Sequence, residues 1–99
     1  MHWLMFNVPG DTKQLTEGLP PGNLPDGSIQ IKNAAGVNGY RGPGAPATGP
    51  VHHYSIEVFA LDTKLGLTAD AARDDVMKAM QGHVLGKAVY VGLYRQPAP

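Results

Sequence analysis

The chain has no cysteine among its 99 residues. That excludes a disulfide framework, a thiolate metal site and a cysteine nucleophile. It has no excess of charge either, since eight basic and eight acidic side chains cancel at neutral pH. Nucleic acids and anionic membranes are met by clustered positive fields, so neither is expected as a partner. No apolar run approaches the roughly eighteen residues of a spanning helix. The opening residues Met1-His2-Trp3-Leu4-Met5-Phe6 contain no basic region leading into an apolar segment. No signal peptide is therefore expected, and cytoplasmic placement is the default. At 42% apolar residues the chain is too hydrophobic to stay disordered. For this mass the globular scaling law gives a folded surface of roughly 5,400 Å² against about 15,000 Å² extended. That supports one domain over residues 1–99 and no second core.

Proline is absent between residues 51 and 96, whereas residues 9–50 are crowded with it and with glycine. Thirteen glycines and nine prolines are present in all, so the middle of the chain is a long, turn-rich connection. Connections of that length in a compact domain are functional or disordered. Within it, Ser28-Ile29-Gln30-Ile31-Lys32 alternates as a short strand between Asp26-Gly27 and Asn33. Around it the elements are regular. Trp3 to Val8 is an apolar run stopped by Pro9-Gly10, which reads as a buried strand. Tyr54 to Asp62 alternates, with Tyr54, Ile56, Val58 and Ala60 on one face and Ser55, Glu57 and Phe59 on the other. Residues 72–85 switch to helical spacing, with Asp70 as the expected N-cap and Gly86 as the stop. Lys87 to Tyr94 returns to a strand rich in Val and Tyr. The order is that of a mainly β chain with one helix near its C-terminus.

Chemistry centres on four histidines. His2 opens the first strand and His52-His53 open the alternating strand after the glycine-rich connection. If both strand starts share a sheet end, imidazoles and glycine backbone N–H groups converge there as donors for an oxyanion. Tyr40 and Tyr54 add hydroxyls. The alternative is that these histidines are ordinary strand-end residues. A metal site is not expected, because His52 and His53 point to opposite faces of a strand and no HxH or HxxxH pair exists. His83 falls on the inward helical stripe and, like Met77 and Met80, reads as packing. No GxSxG elbow and no phosphate-loop pattern is present.

At these residues the chain resembles the phosphatidylethanolamine-binding protein family, in its bacterial Raf-kinase-inhibitor-like branch. His2-Trp3-Leu4-Met5-Phe6-Asn7-Val8-Pro9 is similar to that family's "HWVVYNIP". Gly18-Leu19-Pro20, Lys32-Asn33 and Gly39-Tyr40-Arg41-Gly42-Pro43 follow its "EGLP…KNDFGKTGYGGP". Ala45-Pro46, Gly49 and His52-His53-Tyr54 follow "PPxG…HRY", and Met80-Gln81-Gly82-His83-Val84-Leu85-Gly86-Lys87-Ala88 follows "MKGHVLAKA". The similarity runs in order along nearly the whole chain. It implies an antiparallel β-sandwich with a small pocket for phosphate, acetate and similar anions. It places His2 and His52 in that pocket, Gly42, Pro43 and Pro46 in its wall, and Tyr40, His53 and Tyr54 beside it. His53 stands where the family has arginine, and Ala45 where it has the first of two prolines. The family's upstream "SPPLxW" and "DPDAP" segments, the latter with a pocket aspartate, have no counterpart before Met1, so the match is to a domain lacking its N-terminal third. Open sheet edges and an uncovered apolar face are then expected, with a second copy covering them as a homodimer.

Two functions follow. The first is a small-anion or phospho-ligand binding module with His2 and His52 as donors and no cofactor. The second is a small-ester hydrolase in which His2 or His52 is general base on water or on the hydroxyl of Ser55 or Tyr54.

Overall fold

The computed structural model describes residues 1–42 and 50–95. In chain order its elements are β1 (Met5–Phe6), β2 (Ile29–Gln30), β3 (His52–Leu61), α1 (Arg73–Met80) and β4 (Val84–Tyr94). They form two antiparallel two-stranded sheets, β1 with β2 and β3 with β4. The chain is thus mainly β with one helix toward its C-terminal end, and each element lies where the residue pattern places it.

The bounds differ, for local reasons. The apolar run from Trp3 to Val8 yields only two ladder residues because Asn7 turns into the left-handed region, at φ 58°. Asparagine tolerates that conformation better than a branched residue does. Its amide then clips a loop 58 residues away: Nδ2 donates to Leu65 O at 2.9 Å, and Leu65 N donates to Oδ1 at 2.8 Å. Leu65 is thereby drawn into the core with Phe6, Ile31, Val76 and Met80, and all five are buried.

The helix is shorter than its periodicity predicts, and both expected boundaries are corrected. Ala72, not Asp70, is the N-cap, and the Asp75 carboxylate accepts its N–H at 2.9 Å. Asp74 and Asp75 still sit in the first turn and Lys78 in the last, complementing the helix dipole. The stop comes at Gly82, whose φ of 80° only glycine adopts without strain, so Gly86 lies inside β4 instead. His83 therefore leaves the helix and is half-exposed, with its Nδ1 2.7 Å from Asp62 Oδ1. Eight residues cannot hold a helix alone, and α1 depends on Val76 and Met80 reaching the core.

The turn before β2 is tied by Asp26. The Ser28 hydroxyl and then the Ser28 N–H, which donates to Oδ1 at 2.9 Å, hold its carboxyl below the usual value of 3.8. The hydroxyl is enclosed but falls short of a well-formed bond, so the N–H is the firmer donor. A lowered folded pKa stabilises the fold above the unfolded value and loses that contribution as pH falls through the folded one. Asp26→Asn is expected to flatten the acid-side fall in Tm, measured below about pH 4. Parallel profiles for the two proteins would remove the contact from the stability account.

The β3–β4 antiparallel pair, whose strands are joined through α1, is the longest ladder of a molecule measuring 46 × 26 × 25 Å. Its register pairs His52 with Tyr94, Tyr54 with Gly92, Ile56 with Tyr90 and Val58 with Ala88, with a shift at Ala60/Leu61. Residues directly opposite share a face. One face therefore carries His52, Tyr54, Ile56, Val58, Ala88, Tyr90 and Tyr94. The other carries His53, Ser55, Glu57, Phe59, Lys87, Val89, Val91 and Leu93. Phe59 and Leu61 reach the core, and most of the remaining ladder is exposed.

Candidate functional site

The site begins with His2, just ahead of β1. Its carbonyl accepts the Arg41 N–H at 2.9 Å, and its Nδ1 lies 2.9 Å from Arg41 O. A carbonyl oxygen can only accept, so Nδ1 carries the proton and Nε2 is left for a ligand. The neutral ring offers a lone pair at Nε2, and the protonated ring offers an N–H there. The edge of the ring meets Tyr54 on β3, with centroids 5.4 Å apart and planes at 86°. Tyr54 is flanked in turn by His52 and Tyr94, each with its centroid at 6.4 Å. Residues two apart on a strand share a face, which is why His52 and Tyr54 meet and His53 does not join them.

The segment that brings Arg41 to His2 is held by buried amides. Gln30, 1% exposed, donates to Pro20 O at 2.8 Å and Gly22 O at 3.0 Å, and accepts the Trp3 indole N–H at 2.7 Å. Asn33 donates to Gly39 O at 2.7 Å and accepts the N–H groups of Ala35 and Val37. Asn38 donates to Gln30 O at 3.0 Å. A glycine-rich loop has few apolar contacts, and these bonds supply its order. Its end presents Tyr40, largely exposed, whose ring meets Trp3 edge-on at 5.7 Å.

An open groove of about 2190 Å³ runs between the N-terminal segment and β3, and His2, Arg41, Tyr54 and Tyr94 line it with Tyr40. His53 and Ser55 also border it from the opposite face of β3, whereas His52 stands outside its lining, in contact with the Tyr54 ring. Gly42 is exposed beside Arg41. Pro43 and Pro46 lie outside the described residues. Among the described residues, no three His, Asp or Glu side chains gather as a metal-ligand set.

Two contributors escape a reading of motifs. Tyr94 reaches the cluster because antiparallel pairing sets it opposite His52 across the ladder. Its place in an alternating Val/Tyr strand was visible, but the register was not. Arg41 contributes a backbone carbonyl, for which a sequence carries no signal.

A mainly antiparallel fold thus brings His2, His52, Tyr54 and Tyr94 together at one end of the β3–β4 ladder. The chain belongs to the phosphatidylethanolamine-binding protein family, which matches residues 1–95. It is 51% identical over 96 residues to a UPF0098 protein of Methanothermobacter thermautotrophicus, covering 96% of this chain and 62% of the relative. A UPF0098 protein of Pyrococcus horikoshii is 42% identical over 98 residues, covering 96% and 49%. The UPF0098 protein YbhB of Escherichia coli K12 is 35% identical over 91 residues, covering 90% and 52%. The chain spans about half to three fifths of the length of these curated relatives. No helix among the described residues is long and apolar enough to cross a membrane.

Proposed function

We propose that the chain is a small-anion or phospho-ligand binding module, working as a homodimer, whose ligand meets the His2–His52–Tyr54 cluster. One observation carries the reading: Arg41 O fixes the proton of His2 on Nδ1, so a protonated ring has Nε2–H to donate to an anion. The family's name points to a phosphate-bearing ligand, and the loop order supplied by Gln30 and Asn33 supports a preformed site. Titration calorimetry with inorganic phosphate tests it on wild type, His2→Ala and His52→Ala. Loss of the Nε2 hydrogen bond weakens affinity about tenfold in His2→Ala. Equal affinities in all three proteins would sink the proposal.

The same lock favours a second reading. A neutral His2 keeps a lone pair on Nε2, which makes it a general base for ester hydrolysis at the open groove. Of the expected hydroxyls, Tyr54 lies against the His2 ring, while Ser55 is on the opposite face of β3. Turnover separates the two readings. Hydrolysis of a chromogenic short-chain ester is expected in wild type and lost in His2→Ala, and unchanged turnover in His2→Ala removes this reading.

A further inference from the structure

Asparagine occurs at positions 7, 23, 33 and 38, followed in turn by Val8, Leu24, Ala34 and Gly39. The backbone nitrogen after an asparagine can attack the side-chain carbon Cγ, closing a five-membered succinimide and expelling ammonia. A side chain on the attacking residue hinders the approach, and glycine has none. Asparagine is thermolabile through this chemistry, and Asn38-Gly39 is its most reactive setting in the chain.

The loop leaves both reacting groups of this pair available. Neither the Gly39 N–H nor Asn38 Oδ1 has a hydrogen-bond partner among the described residues. The Asn38 amide is restrained on its leaving side alone, where Nδ2 donates to Gln30 O at 3.0 Å and, at the long limit of such a bond, to Ala69 O at 3.3 Å. Asp26-Gly27, the other pair of this type, is tied at both ends. Gly27 N donates to Leu24 O at 3.1 Å, and the Asp26 carboxylate accepts Ser28 N at 2.9 Å.

Conversion has a structural consequence two residues on. Water opens the succinimide at one of its two carbonyls, giving an aspartate or, with the chain rerouted through the side chain, an isoaspartate. The aspartate sets a carboxylate oxygen in place of Nδ2 against Gln30 O and Ala69 O, acceptor facing acceptor. The isoaspartate adds a methylene to the main chain just before Gly39, whose carbonyl accepts Asn33 Nδ2 at 2.7 Å. The same stretch carries Arg41, whose N–H and carbonyl hold His2.

We propose that Asn38-Gly39 is a self-modification site. Gly39 N attacks Asn38 Cγ, ammonia leaves, water opens the ring, and the converted loop loosens its hold on His2. The last step rests on the anion-binding reading above; the modification itself does not. Wild type and Asn38→Thr are incubated in warm, mildly alkaline buffer. Threonine stands at this place in the family's "KNDFGKTGYGGP" and has no amide to lose, so the variant is expected to fold. Peptide mass spectrometry reads replacement of amide by acid, and isoaspartyl methyltransferase labelling reads the rerouted chain. Conversion at Asn38 is expected to run severalfold faster than at Asn7, Asn23 or Asn33, and isoaspartyl labelling to be absent from Asn38→Thr. Titration with inorganic phosphate is expected to show severalfold weaker binding by converted wild type than by fresh, and no change in incubated Asn38→Thr. Conversion at Asn38 no faster than at the other three overturns the site. Affinity that is unchanged, or lost only with global unfolding by circular dichroism, overturns the link to His2. Fresh wild type that does not bind phosphate overturns the anion-binding reading and that link together, while the conversion rates still decide the site.

Discussion

Gln30→Leu is expected to destabilise the fold by about 3 kcal/mol. Gln30 is 1% exposed and its amide satisfies three partners: the Trp3 indole N–H, Pro20 O and Gly22 O. Leucine nearly matches the volume but pairs with none of them. Each orphaned buried group costs roughly 1–3 kcal/mol, lowered where the loop can open to water. Against a total stability of about 5–15 kcal/mol the change is large, and it corresponds to a fall in Tm of roughly 12–24 °C. Urea unfolding at fixed protein concentration should show a lower midpoint at an unchanged slope. Gln30→Glu sharpens the cause. It keeps an acceptor for Trp3 but loses both donors and buries a charge, so it should be the worse variant at neutral pH and recover on acidification. A Gln30→Leu protein within about 0.5 kcal/mol of wild type would mean the loop is ordered by something else.

This dependence on amides explains which parts of the molecule were legible from residues alone. Period-2 alternation marks β3 because Tyr54 to Leu61 repeats a face regularly, and helical spacing marks α1 because Val76 and Met80 share a stripe. Ends were less legible. Asn7 stops β1 through a bond to Leu65, and no local pattern announces a partner 58 residues away. Gly82 ends the helix four residues before the expected Gly86, since a short helix can stop wherever a glycine permits the left-handed turn. His83 consequently moves from the expected inward stripe to an exposed pairing with Asp62. At the site, family words pointed to His2, His52 and Tyr54, and the structure sets their rings in a chain of contacts. Tyr94 and the Arg41 carbonyl depend on strand register and loop course, which are non-local properties.

Asn33→Ala is expected to separate loop order from direct ligand contact. Asn33 is 7% exposed, and its side chain closes the turn from Ala35 to Gly39 through three bonds. That turn leads straight into Tyr40 and Arg41, whose N–H and carbonyl hold His2. Truncation leaves the buried Gly39 carbonyl without its partner and hands the N–H groups of the exposed Ala35 and Val37 to water, at a cost of about 1–3 kcal/mol. Loosening the turn also releases the Nδ1 proton of His2 from its fixed acceptor, so the ring samples both tautomers and several orientations. Phosphate affinity should therefore fall several-fold in a protein that retains both His2 and His52. Asn33→Asp gives the internal control. Its carboxylate still accepts from Ala35 N and Val37 N but faces Gly39 O without a donor, so the turn persists while its last residue is pushed away. Stability should be better kept than in Asn33→Ala, and affinity should drop comparably, because the damage falls on the side leading to Arg41. Wild-type affinity in a destabilised Asn33→Ala protein would show that His2 holds its orientation without Arg41, and that the lock proposed for the site is not what shapes it.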